Sequence, residues 1–314
     1  MLETRVRLGA PVAHRGILIT PLHPLQAPHA AYLTLDEALP LGLRIRELGD
    51  GGSVPQLVVE NPLEDSVLLY DGQELAGAMQ DRILNVTVLV AAHSTLTIPV
   101  SCVEIGRWSA RSAAFASAPD AAAPSLRHRK AEALEDAPLA PGFAQSEVWA
   151  EVGRTAHRLG VHGQTGANAD AFRTHRASIA ELEEAFPAQP GQCGAVLAIG
   201  GDVCVDIVSQ PAAFDRLWPK LRSGYLLDAL GRLDGPAPGA DVAMRLIATL
   251  SHGTVTERPS VGGGRDIRVR AGGIIGSGLE LDGELLQFSA FARDERQAGG
   301  RTARVPAPSE QRIA

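Results

Sequence analysis

Up to about residue 106 the apolar positions come in short runs rather than recurring every three or four residues. Runs rich in Val, Ile and Leu cover 16–22, 43–48, 56–61, 67–70, 82–90 and 96–104, with turn residues between them, the pattern of short strands. Asp36 to Leu41 is the one helical turn expected here, opened by Thr34-Leu35-Asp36-Glu37. Asp71-Gly72 reads as a hairpin turn, since Gly readily takes positive φ and Asp tolerates it. From Ser109 to Pro124 the chain is rich in Ala, Ser and Pro and reads as a loop or linker.

Helical spacing follows. Val148, Trp149, Val152, Ala156 and Leu159 share one face, stopped at Gly160; Phe172, Ile179, Leu182 and Phe186 share another, stopped at Pro187. The link from His162 to Asn168 is polar and contains Gly. Two strands, 195–199 and 203–208, meet through Gly200-Gly201-Asp202. Helices then start at Pro211 and Asp241, and strands at 266–270, 273–281 and 284–291 close the pattern, the last two joined by Asp282-Gly283. This order lacks the regular strand–helix alternation of a doubly wound sheet. The expected class is α+β, with an N-terminal antiparallel β sandwich or barrel-like unit packed on a C-terminal α+β unit with about four helices. The units run over 1–108 and 125–293, with a linker at 109–124 and a loose tail at 294–314.

Composition narrows the function classes. The 314 residues are 45% hydrophobic and 21% charged, with a net charge of −7. That suits a globular core and argues against wholesale nucleic-acid binding. Only two residues are Lys against 27 Arg, which reads as genomic codon bias. Three widely spaced cysteines, Cys102, Cys193 and Cys204, read as buried reduced thiols. Met1 to Leu8 carries Glu3, Arg5 and Arg7, unlike a signal peptide, and no apolar run reaches about 20 residues. A cytoplasmic protein with no membrane partner is expected.

The chemistry gathers in 71–108. Leu96, Ile98, Val100 and Cys102 alternate onto one strand face, and period two puts Glu104 on it as well. If the strands 82–90 and 96–104 form a hairpin with matched apolar faces, one register sets Arg82 opposite Glu104. The register shifted by two sets Gln80 there. Either way a carboxylate is buried with polar partners, as a structural ion pair or as a ligand or catalytic pocket. Asp71, Glu74, Asn85, Arg107 and Trp108 lie in the same stretch. Other motifs say less. Gly262-Gly263-Gly264 lacks the Lys and the helix of a phosphate loop. Arg127-His128-Arg129-Lys130 reads as a solvated face on a helix. Nine scattered histidines have no metal spacing, and Ser101-Cys102 lacks a nucleophile elbow.

Three segments, Tyr32-Leu33-Thr34-Leu35-Asp36-Glu37-Ala38, then Asp71-Gly72-Gln73-Glu74-Leu75-Ala76-Gly77-Ala78-Met79-Gln80-Asp81-Arg82-Ile83-Leu84-Asn85, then Ile98-Pro99-Val100-Ser101-Cys102-Val103-Glu104-Ile105-Gly106-Arg107-Trp108, resemble a family of bacterial proteins. The family is named for association with ADP-ribosylglycohydrolases and rhodanese-phosphatases. Gln145-Ser146-Glu147-Val148-Trp149 and the helix 218–230 are similar to it too, so the likeness reaches about Phe291. Met79 and Asp81 stand where the family's Lys and Asn are expected.

The resemblance implies a role near NAD or ADP-ribose metabolism, with an ADP-ribose-like nucleotide ligand and an ADP-ribosylglycohydrolase-type partner. It names no cofactor. By matching position it points to Asp71, Glu74, Gln80, Arg82, Asn85, Cys102, Glu104, Arg107 and Trp108. In an enzyme or sensor, Arg82 or Arg107 would pair with phosphate and Trp108 would stack on a base or ribose. Glu74 or Glu104 would hold ribose hydroxyls or act as acid/base. In the alternative, a non-catalytic interaction module, the same residues brace the sheet and a surface binds a protein.

Overall fold

A computed structural model describes residues 2–49, 53–136 and 141–292; the expected tail at 294–314 lies outside them. The class is α+β, with mostly antiparallel sheets and seven α-helices among the described residues: the expected one at Leu35–Leu41 and six between Pro124 and Ser251, where about four were expected. The largest sheet runs in the order Val6–Leu8, Ile17–Pro24, Gly194–Ile199, Asp202–Val208, Glu284–Ala292, Ile274–Leu281, Arg265–Ala271 and Thr254–Pro259, with Val12–His14 also paired to Ile17–Pro24. A second sheet orders Phe115–Ala121, Gln73–Gly77, Arg82–Leu84, Ser94–Cys102, Gln56–Asn61 and Arg44–Glu47, and a third has Val88–Val90, Val67–Leu69 and Leu33–Thr34. Only Leu33–Thr34 pairs in parallel among the described strands.

Sheet membership differs from the order along the chain. The first strands join the sheet of residues 194–292, not the one formed by 44–121. Ile17, Leu18, Ile19, Thr20 and Leu22 are all buried, so this strand has no solvent face and sits inside a sheet covered on both sides. One side is covered by Pro211–Ala229, whose Phe214, Leu217, Trp218 and Tyr225 pack with Phe172, Ile179 and Leu182. The other is covered by Val242–Ser251 through Ala243, Leu246, Ile247 and Leu250. The stretch read as a linker holds a strand, Phe115–Ala121, and Pro124–Asp136 follows as a helix.

Local chemistry explains other differences. Thr34 caps Leu35–Leu41: Glu37 Oε2 accepts from its N–H at 3.0 Å and its hydroxyl at 2.8 Å. At Asp71-Gly72 only Gly72 has positive φ (86°), and the turn links strands of two different sheets, so it is no hairpin. At Asp282-Gly283 both residues have positive φ (49° and 84°) and the flanking strands do pair. The run 82–90 is two strands, Arg82–Leu84 and Val88–Val90, in different sheets. The face 172–186 is split between Asn168–Thr174 and Arg176–Glu183. Thr254–Pro259 is exposed at every residue, so it carries no apolar alternation to reveal it.

Candidate functional site

Strand Ser94–Cys102 brings the site together. Its first half pairs with Gln56–Asn61 and its second with Arg82–Leu84, in the register Val100 to Leu84, Ser101 to Ile83 and Cys102 to Arg82. Arg82 therefore faces Cys102, and Gln80 falls opposite Glu104, the second of the two registers. The Gln80 amide donates to the Glu104 carbonyl at 2.9 Å. Past its last ladder pair the chain runs on beside the polar link that precedes helix Asn168–Thr174: Glu104 bridges Ala167, Gly106 N–H donates to Thr165 O at 2.8 Å, and Asn168 N–H donates to Val103 O at 2.8 Å.

The Glu104 carboxylate is fully buried. Its Oε2 accepts from Arg107 Nε at 2.8 Å and from the Asp81 N–H at 3.2 Å, and lies 2.6 Å from a terminal nitrogen of Arg107. Its Oε1 accepts from Thr165 Oγ1 at 3.0 Å and from Arg111 at 3.2 Å. Burial on its own would raise this carboxyl's pKa; the Arg107, Asp81 N–H and Thr165 bonds outweigh it and hold the group below its usual range. Arg107 also donates to the carbonyls of Ala78, Met79 and Ser109 and to Asp81. It ties the 77–81 turn to Glu104.

The other expected residues stand farther out, some of them linked to Glu104 through Gln80. Arg82 is buried, donates to Gln80 Oε1 at 2.9 Å, lies 3.5 Å from Glu47, and sits 5.7 Å from the ring centroid of Trp108. Trp108 itself is 48% exposed. Cys102 is buried, its thiol donating to Gln80 Oε1 at 3.0 Å, and burial raises its pKa. Glu74 is buried with Asn168 as its hydrogen-bond donor. Burial, only partly offset by Asn168, pushes its pKa up to about 8, so it holds a proton at neutral pH. Asn85 accepts from Ser101 Oγ at 2.9 Å. Asp71 pairs with Lys130, which also donates to Leu84 O at 2.8 Å and Asn85 O at 3.0 Å.

The basic run 127–130 is not a solvated face. Arg127 and Lys130 are fully buried. Arg127 grips Asp206 with two bonds, of 2.8 and 2.6 Å, and donates to Ser289 Oγ at 2.7 Å. Tyr70 and Tyr225 also donate to Asp206, Tyr225 at 2.7 Å. Burial pushes Lys130 down to about 8 against the pull of Asp71. The one advance sign was the retention of Lys in a chain that otherwise uses Arg.

The Glu104 group borders open space. A cavity of about 320 Å³ is lined by Glu104, Arg111, His162, Thr165, Asp170 and Arg173, together with Asp81. Arg111, Asp170 and Arg173 were not anticipated. The available signal was the polar, Gly-containing link 162–168, which supplies much of the wall.

The family model of the ARG and Rhodanese-Phosphatase-superfamily-associated Protein domain, ARPP-1, matches residues 5–291. The chain belongs to this family. No curated protein and no solved structure matches it. The ARPP-1 match spans both polar groups and the cavity, and the family name records association with ADP-ribosylglycohydrolases and rhodanese-phosphatases. No helix among the described residues of this ARPP-1 chain is long and apolar enough to cross a membrane.

Proposed function

We propose that the chain is a cytoplasmic ligand-binding protein working alongside NAD and ADP-ribose metabolism, with an ADP-ribose-like nucleotide held at the cavity beside Glu104. One observation carries this reading: a buried carboxylate, clamped through one oxygen by Arg107, turns the other toward a polar cavity shared with Arg111, Thr165 and Asp170. A concave site where a few polar groups converge is a common form of ligand site, and here the wall is mostly polar, which suits a polar ligand. The family association supplies the metabolic context, and three unpaired buried cysteines suit a reducing compartment.

In this reading Arg107 positions Glu104 rather than touching phosphate, because its nitrogens are taken up by Glu104, Asp81 and backbone carbonyls. Arg111 and Arg173 take over the phosphate role first assigned to Arg82 or Arg107. A second reading, a non-catalytic module that docks an ADP-ribosylglycohydrolase-type partner, is favoured by Ile105 and Trp108. Both are large, apolar and about half exposed on the segment that Glu104 and Arg107 pin down.

A thermal-shift screen with ADP-ribose, NAD and AMP separates the two, since a ligand that binds only the folded chain raises its melting temperature. The ligand reading expects a shift with ADP-ribose that Asp170→Asn abolishes and Trp108→Ala leaves in place. The absence of any shift up to millimolar ligand would sink it in favour of the docking module.

A further inference from the structure

Asp170 sits in the first turn of helix Asn168–Thr174. Its Oδ1 pairs with Arg173 at 3.0 Å. Its Oδ2 has no hydrogen-bond partner, although the residue is only 9% exposed. A buried carboxylate oxygen left without a donor is costly, and Asp170 is one of the residues of the cavity wall. The carboxylate lies directly on Gly163, where an added Cβ would fall 1.6 Å from Oδ2. A small residue at 163 is thus a condition for Asp170 to stand where it does.

The rest of the wall sorts by chemistry. Glu104 offers a second carboxylate, already partnered by Thr165 and Arg111. Arg111 and Arg173 have side chains 55% and 73% exposed, so two guanidinium groups border the cavity with donors to spare. No Phe, Tyr or Trp is among the described lining residues.

Building on the proposed ligand site, we infer that this cavity takes the ribose–phosphate end of its ligand, a phosphorylated five-carbon sugar, and leaves the base outside. Sugar hydroxyls donate to Asp170 Oδ2 and toward Glu104 Oε1. The phosphate lies against Arg111 and Arg173, whose planar forks suit its oxygens. An adenine ring gains little here, since no aromatic face is offered to it.

Calorimetric titration with ADP-ribose, ribose 5-phosphate, unphosphorylated ribose and adenosine tests this. ADP-ribose and ribose 5-phosphate are expected to bind, and adenosine not to. Gly163 does not have positive φ, so Gly163→Ala introduces no backbone strain and acts by pushing Asp170 aside. It should lower affinity for ribose 5-phosphate at least tenfold, roughly 1.4 kcal/mol, with the fold retained. Arg173→Gln, at an exposed side chain, should weaken ribose 5-phosphate about tenfold and unphosphorylated ribose by much less. If Gly163→Ala unfolds the chain, Arg173→Gln decides. Tight binding of adenosine with none of ribose 5-phosphate, or unaltered ribose 5-phosphate binding in Arg173→Gln, overturns the inference and leaves the ADP-ribose reading standing. Failure of ADP-ribose itself to bind overturns that reading and this inference with it.

Discussion

Two buried carboxylates, Asp206 and Glu104, are each gripped by an arginine, yet their surroundings are opposite. Asp206 is closed on all sides: Arg127 holds both oxygens, Tyr70, Tyr225 and Ser289 fill the remaining sites, and the Arg127 guanidinium lies 5.1 Å from the ring centroid of Phe291. It joins the large sheet to helix Pro124–Asp136 and to the turn after Val67–Leu69. Glu104 is clamped on one side only, and its other oxygen meets Thr165, a half-exposed Arg111 and a cavity. The same pairing therefore serves two ends. Where it is sealed it fixes elements to one another, and where one flank is open it holds a charged group ready for something else.

Removing one partner of the sealed pair should have the largest effect. Arg127→Met leaves Asp206 charged and buried, a loss of about 3–5 kcal/mol in urea unfolding; a loss below 1 kcal/mol would mean that Asp206 is not the brace described. Glu104→Gln keeps the shape but weakens the charge-assisted bonds to Arg107, so about 1–3 kcal/mol is expected in the same assay. That loss arises whether or not a ligand binds, which is why Asp170, Gly163 and Arg173 report on the cavity more cleanly than Glu104 does.

Next in size is a pH effect at Glu74. Its folded pKa of about 8 lies above its ordinary value, so between those two values the folded chain keeps a proton that the unfolded chain has released. Its contribution is therefore greatest at acid pH and declines as pH rises toward 8, with a limiting slope of about 1.4 kcal/mol per pH unit. Glu74→Gln should flatten this part of the stability profile and be more stable than the parent at pH 9. An unchanged profile would put the ionised form in the native state at neutral pH. The smallest effect concerns Cys102, which is buried with a raised pKa. A thiol reagent should leave it unlabelled in the native protein and label it after unfolding; rapid native labelling would contradict its place in the core.

The sequence exposed what is local. Alternation from Leu96 to Cys102 pointed to a buried Glu104, which it is, although the strand ends at Cys102 and Ser101 and Val103 on the alternate positions are buried too. Thr34 with Glu37, Pro211 and Asp282-Gly283 signalled element starts and a turn that depend only on near neighbours. What escaped depends on distant partners. Arg127 and Lys130 look solvated on their own helix, because their partners, Asp206 and Asp71, stand 79 and 59 positions away. The run Ile17–Pro24 reads as a strand, but nothing near it says that it lies beside Gly194–Ile199. Thr165 was hidden in a polar link, and Asp170 in the first turn of the helix after it, both of which matter through lying near Glu104.

The most direct test of the contrast is hydrogen–deuterium exchange with and without ADP-ribose. Protection is expected at residues 104–111 and 161–174, and no change at 124–130, 204–208 and 287–291, where the sealed group lies. Protection confined to the Asp206 elements, or none at ligand concentrations that saturate a measured shift in melting temperature, would contradict the assignment of the Glu104 cavity as the ligand site.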